Sequence, residues 1–255
     1  MILLSFDIEE FDMPFEYGVD IPFEKQLQVS RNGTETILTL LRKYDIKATF
    51  YCTANFAVHQ PDIIRAIVSD GHEIASHGYY HTLFDTTHLA LSKEKLEEIS
   101  GQQIKGYRMA RMMPVSEESI AQAGYLYNSS INPTFLPGRY NKLHEPRTYF
   151  YRGGILQLPA SVTPLIRFPL FWLSFHNLPL SIYCLLCKWT LRKDNYLNVY
   201  FHPWEFETIN IYKFPSYVVH NSGERMKQRL EKFIIWADKR NYTFQTTSDF
   251  IKSIQ

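Results

Sequence analysis

Short apolar runs alternate with longer helical patterns along the 255-residue chain, and this alternation constrains its fold more than any other feature. The stretches "ILLSF" (2–6), "KATFYC" (47–52), "HEIAS" (72–76), "KGYRM" (105–109), "GILQLPA" (154–160), "YLNVYFH" (196–202) and "YTFQTT" (242–247) read as strands or extended segments. Between them, apolar spacing predicts helices over 31–44, 61–70, 92–99, 116–123 and 222–241, with a short one at the end. Pro61 opens the second helix and Gly124 follows the fourth, each at the terminus its backbone preference suits. Parallel strands need a crossover, and a helix supplies it, so the pattern predicts an α/β fold with a mostly parallel sheet.

Polar clusters follow the strands. Asp7 and Glu9 come after the first, His77 and His81 after the third, Arg108 in the fourth and His202 at the end of the sixth. Sites on parallel sheets gather at the carboxyl ends of strands, so these groups are expected to meet.

Composition removes several function classes. Apolar residues are 45% of the chain and charged ones 21%, which suits a packed globular protein. The net charge is +1, so there is no whole-molecule field to draw in nucleic acid, and none is expected as a partner. The three cysteines, Cys52, Cys184 and Cys187, are too few and odd in number for a disulfide framework, and the apolar "SIYCLLCKW" around the CxxC reads as buried reduced thiols. "MILLSFDIEEFD" turns acidic at once and has no signal-peptide pattern, from which a cytoplasmic location is expected.

The densest chemistry is in "DGHEIASHGYYHT" (70–82), with three of the nine histidines. His77 and His81 are four apart, so on a helix or tight turn both imidazoles face one way and can share an ion; His72 points elsewhere. A metal site needs a carboxylate too, and "SFDIEEFD" (5–12) offers four: Asp7 and Glu9 on one face of a continuing strand, Glu10 and Asp12 on the other. Two histidines and one carboxylate with open positions make a hydrolytic metal site, and a second carboxylate beside it can accept a proton from water. Such a base must be held ionised, for which "GYRMARMMP" (106–114) offers Arg108 and Arg111. In "VYFHPWEFE" (199–207), His202 ends a strand, is restrained by Pro203 and Trp204, and is placed to give a proton to a leaving group.

Taken in order, the acidic cluster, "ATFYCTANFA" (48–57), "GHEIASHGYYH" (71–81), "GYR" (106–108), "LQLPAS" (156–161) and "YFHPWEF" (200–206) resemble the polysaccharide deacetylases of the NodB-homology type. The resemblance is closest to the branch with FDxE at the start and HPWE near the end. It covers nearly the whole chain, which implies one catalytic domain over 1–255. It also implies a distorted (β/α) barrel of about seven parallel strands, one divalent metal ion, and hydrolysis of N- or O-acetyl groups on a sugar of a surface polysaccharide or its lipid-linked precursor. On this resemblance Asp7 matches the general base, Glu9, His77 and His81 the metal ligands, Arg108 the arginine that orients the base, and His202 the general acid. His72 matches a common histidine that is not a ligand. Zinc suits the ligand set best, and cobalt, manganese, nickel and iron are compatible. The chain departs from the pattern at Ala110, where the family often has proline, and Arg111 stands as a substitute. It has no acid near Gln157, so Glu205 or Glu207 is left to support His202, and Glu10 remains an alternative ligand to Glu9. Two competing readings are a glycan-binding protein with a degraded site and an amidohydrolase of small cyclic amides on the same fold.

Residues 163–193 are more apolar than a barrel loop requires, but Arg167, His176, Asn177 and two prolines interrupt them. They read as paired core helices, or alternatively as an interfacial hairpin in which Trp172 touches lipid and Lys188, Arg192 and Lys193 meet anionic headgroups.

Overall fold

The computed structural model describes residues 1–209 and 212–255. Its strands are β1 (Ile2–Ile8), β2 (Thr49–Cys52), β3 (Glu73–Ser76), β4 (Gly106–Tyr107), β5 (Tyr127–Asn128), β6 (Phe135–Leu136), β7 (Tyr140–Asn141), β8 (Phe150–Arg152), β9 (Ile155–Gln157), β10 (Leu197–Phe201) and β11 (Phe244–Gln245). The main sheet runs β10-β1-β2-β3-β4-β5-β9-β8, with every neighbour parallel except the β8–β9 pair, and β11 joins the start of β1 in parallel. Seven parallel strands therefore lie along the path, and the expected α/β class holds.

The ring is curled but has a seam. Beyond β9 the chain crosses to β10 without a ladder: Ser161 N–H donates to Asn198 O and Asn198 N–H to Ser161 Oγ, each at 2.8 Å. The Asn198 side-chain amide donates to Leu158 O and Pro159 O, satisfying two more carbonyls at this junction.

Alternation along β1 separates two environments. Ile2, Leu4, Phe6 and Ile8 pack outward beneath the helices in the large apolar core. Leu3 points inward with Tyr51, Ala75, Tyr127 and Leu156, and on the same inner side follow Ser5 and Asp7. A strand that is apolar outside and turns polar at its inner end delivers a carboxylate into the barrel.

The helix at 31–44 begins earlier, spanning Phe23–Lys43 after Pro22. Its first turns are polar enough to mask the period, yet Leu27, Val29 and Ser30 are buried. It crosses the turn Pro203–Phe206 so closely that a Cβ on Gly33 would sit 1.9 Å from Pro203 O. Only glycine fits there. Strands β5 to β8 were not apparent in the sequence because each has two or three residues, too few for a period.

Residues 163–193 form the helices Trp172–Asn177 and Leu180–Asp194, with Tyr183, Cys184, Cys187 and Leu191 turned inward. The cysteines are free and buried, and burial pushes Cys184 up to about 11. Trp172 packs edge-on against His202 and Trp204 at 5.4 Å from each, so it is a wall of the polar centre. Trp172 is only partly buried, so its outer edge is left accessible. Among the described residues no helix is long and apolar enough to cross a membrane.

Candidate metal centre and its neighbours

Strand register sets the site. Ile8 pairs with Cys52, Cys52 with Ser76 and Ser76 with Tyr107, so Glu9, His77 and Arg108 leave the sheet at one level. Phe6 pairs with Phe201, which puts His202 opposite Asp7. Each cluster read from the sequence thus reaches the same end of the barrel.

Glu9, His77 and His81 are buried, and their ligand atoms lie within 4.8 Å of one another. Glu9 Oε2 is 2.8 Å from His81 Nε2 and 3.3 Å from His77 Nε2. The loop from His77 to Asp85 is irregular, and a tight turn, not a helix, brings the rings to a centroid separation of 5.8 Å. The far nitrogens fix the tautomers. His77 Nδ1 is 2.9 Å from Arg108 O, a carbonyl that can only accept, so Nδ1 carries the proton. His81 Nδ1 is likewise held at 2.9 Å by the Asp12 carboxylate. Both Nε2 lone pairs therefore face a carboxylate oxygen that has no hydrogen-bond donor of its own. Three buried acceptors turned on one another fit a divalent cation. Burial pulls the His81 pKa down, but the neighbouring carboxylates of Glu9 and Asp12 outweigh it and push it up to about 10.

Glu10 is turned away. It accepts from Thr53 Oγ1 at 3.0 Å and Asn55 Nδ2 at 2.5 Å, and burial holds its pKa above the ordinary range. Of the two alternatives left open by the sequence, the geometry brings Glu9 and not Glu10 to the histidines.

Asp7 lies beside this group, 2% exposed, and takes a hydrogen bond from Arg108 Nη1 at 2.5 Å. Arg108 is fully buried, with its guanidinium 3.8 Å from the Tyr51 ring centroid and hydrogen bonds to Ser5 Oγ, Ser129 O and Ser129 Oγ. A guanidinium satisfied on several sides is held rigidly. Arg111 takes another task. Its backbone is left-handed at φ 55°, and it pairs with Asp12 and Glu16. It braces the carboxylate behind His81 and leaves Asp7 to Arg108.

On the other side, His202 Nδ1 donates to Glu205 Oε1 at 3.0 Å, and its backbone N–H donates to the same oxygen at 2.6 Å. Glu205 Oε2 accepts from His176 Nε2 at 2.9 Å, and both of these residues are fully buried. Burial opposes charge on His202, but the bond to Glu205 and the charge of Glu9 raise its pKa above the ordinary value, with Asp7 adding to the effect. His202 stacks on Trp204 at 5.0 Å, and Trp204 Nε1 donates to Glu9 Oε1 at 3.3 Å. Among the described residues Glu207 makes no hydrogen bond or ion pair with His202, so of the two acids considered it is Glu205 that supports the ring. His72 is remote: it accepts from Ala48 N–H at 3.3 Å and packs on Phe50.

Sequence reasoning did not single out Asp12 or His176. Asp12 was visible in the acidic cluster, but its place behind His81 depends on the loop's path. His176 gave no signal beyond being one histidine in an apolar stretch.

The fold and the donor set define an α/β barrel protein with a metal-capable polar centre at the carboxyl ends of its strands. Comparison with known proteins adds to this: residues 2–111 match the family model described as "Polysaccharide deacetylase". That stretch contains Asp7, Glu9, His77, His81 and Arg108. The chain is 30% identical over 139 residues to a chitooligosaccharide deacetylase of Bradyrhizobium sp. (strain ANU 289), covering 52% of this chain and 60% of that one. The matched segment is thus under two thirds of the relative's length. The fold is shared with a Mycobacterium smegmatis protein described as a polysaccharide deacetylase, at TM-score 0.68 and 19% identity over 98% of this chain and 87% of that one. It is shared equally with PuuE allantoinase, at TM-score 0.66 and 17% identity over 97% and 87%. At such identity the likeness shows the fold, and the site must argue the chemistry.

Proposed function

We propose that this chain is a metal-dependent hydrolase that removes N- or O-acetyl groups from a sugar of a surface polysaccharide or its lipid-linked precursor. One observation carries the reading: Glu9, His77 and His81 converge as bare acceptors within 4.8 Å, flanked by Asp7 on Arg108 and by His202 on Glu205. Glu9, His77 and His81 would hold the ion, zinc first by ligand type, with cobalt, manganese, nickel and iron also accommodated. When bound, such an ion polarises an acetyl carbonyl and lowers the pKa of water.

The protein's own groups do the rest. Asp7 Oδ1 is engaged by Arg108, which leaves Oδ2 to accept a proton from the attacking water. His202, whose pKa is held above the ordinary value by Glu205 and which is fixed through Nδ1, turns Nε2–H toward the leaving amine or alcohol. Trp172 and Trp204 pack against its ring, restrain its rotation and keep water from it.

The test is metal analysis of the purified protein together with acetate release from an N-acetylglucosamine oligomer. One tightly bound divalent ion and acetate release are expected. Glycan binding without acetate release would make it a binding protein with a degraded site, and turnover of allantoin instead would move it to the cyclic-amide class.

A further inference from the structure

From Ser129 to Lys193 the sequence holds eight lysines and arginines and a single acid, Glu145, in a chain whose totals are 27 and 26. The rest of the chain is therefore net acidic, and positive charge is concentrated on this excursion. Arg147 and Arg152 are neutralised by Asp194, Glu117 and Glu145, whereas Arg139 and Lys142 have no ion-pair partner among the described residues.

Within the excursion lies an apolar tip. Leu165 is 89% exposed and Ile166 70%, the two highest values among the exposed large hydrophobics. Their display is built. Leu165 and Arg167 adopt left-handed backbone at φ 66° and 54°, which branched or bulky side chains avoid. The turn is tied at its base by the Val162–Pro169 bridge and by hydrogen bonds from Thr163 N–H to Phe168 O and from Phe168 N–H to Thr163 Oγ1. Arg167 donates to Glu145 O at 2.7 Å, and Thr134 Oγ1 donates to Arg167 O at 2.7 Å, which fastens the turn to the β6–β7 hairpin. In that hairpin Leu136 packs inward against the wall of Phe171 and Tyr200, while its neighbour Phe135 is 52% exposed. Lys142 N–H bonds Thr134 O, and Arg139 sits exposed at the hairpin turn, so the hairpin that carries these two cations is tied to the base of the apolar tip.

A projecting pair of branched side chains on a net-basic excursion fits a soft apolar phase with an anionic surface. We infer that the turn Thr163–Pro169 and the β6–β7 hairpin form a lip that seats in the headgroup region of an anionic lipid bilayer. The lip shares its inner wall with the ring of His202, since Phe171 and Tyr200 lead to it, so docking would bring the polar centre to the membrane surface. The inference stands apart from the acetyl-sugar reading, because vesicle binding requires no turnover.

The test is sedimentation of the full chain with vesicles of phosphatidylcholine containing about a third phosphatidylglycerol, against phosphatidylcholine alone. Binding to the anionic vesicles, weakened by salt, is expected. The double variant Leu165→Asn, Ile166→Ser should lose on the order of tenfold in vesicle affinity, and Arg139→Glu should weaken it further, with thermal midpoints unchanged because these side chains are exposed. Asn tolerates the left-handed position, so the variant folds. Failure of the parent to sediment, equal sedimentation of the double variant, or full competition by inorganic phosphate would each overturn the inference. So would a concentration-dependent dimer in lipid-free solution that the double variant abolishes, since the tip would then be covered by a second copy.

Discussion

Glu205 holds His202 by one carboxylate oxygen at two points, the backbone N–H at 2.6 Å and the ring Nδ1 at 3.0 Å. Ring orientation and tautomer are fixed together by a residue three positions along the chain. The charge on Glu205 favours the protonated ring, so Glu205→Gln should keep the shape and lower the His202 pKa. If protonated His202 is the acid, activity falls as pH rises through that pKa, and the variant's basic limb moves to lower pH. At pH about 8 its kcat/KM should drop tenfold or more. A pH–rate profile with an unmoved basic limb would sink this role.

His176→Phe leaves Glu205 Oε2 buried without a donor. Breaking a buried pair in this way costs on the order of 3 kcal/mol, and a denaturant midpoint measures it. The double variant His176→Phe, Glu205→Gln should recover part of that loss, because no uncompensated charge remains. Additive losses would show that His176 and Glu205 do not act as a pair.

Asp12 fixes the proton of His81 on Nδ1. Asp12→Asn should weaken divalent-ion affinity about 10- to 100-fold without unfolding the protein, whereas His77→Ala or His81→Ala should abolish retention. Competition against a chromogenic chelator distinguishes the two outcomes, and unchanged retention in both histidine variants would remove the centre.

His72 supplies a prediction far from the site. Burial lowers its pKa from 6.5 to about 4, and its Nδ1 must be unprotonated to accept from Ala48 N–H. The unfolded chain therefore binds a proton between pH about 6.5 and 4 that the folded one refuses. Stability present above pH 6.5 should decline across that window, by on the order of 2–3 kcal/mol in all. Thermal midpoints of His72→Phe should be flatter over the same range, and an equal slope in the variant would assign the effect elsewhere.

Gly33→Ala drives a methyl group into Pro203 O, which a 1.9 Å approach cannot absorb without moving the turn that carries His202. A loss of roughly 1–3 kcal/mol is expected, along with a fall in kcat larger than in KM's favour alone would give. Parent-like melting and turnover would mean that the helix Phe23–Lys43 yields easily.

The parallel sheet and the partners at the strand ends were legible because two periods, two for strands and about 3.6 for helices, were clean over most of the chain. Asp7, Glu9, His77, His81, Arg108 and His202 could be named because they cluster at or near strand ends and because the motifs around them resemble those of a known family. What stayed hidden depends on tertiary placement. Nothing in "SFDIEEFD" says that Glu10 turns to Thr53 and Asn55, and nothing in "FWLSFHN" says that His176 ends on a carboxylate 29 residues later. The place of Trp172 beside His202 was hidden because an aromatic in an apolar stretch serves a lipid surface and a site wall equally well.

The seam between the β9 exit and β10 has a consequence for motion. Elsewhere neighbouring strands share ladders, but here Ser161 and the single side chain of Asn198 clasp the ring. The barrel is a bracelet with a buckle, and the buckle is where it opens most easily. Amides near Ser161 and Leu170 should exchange with deuterium sooner than those of β1 and β2, and the excursion from Ser129 to Phe171 can loosen while the strands bearing Asp7, His77 and Arg108 stay closed.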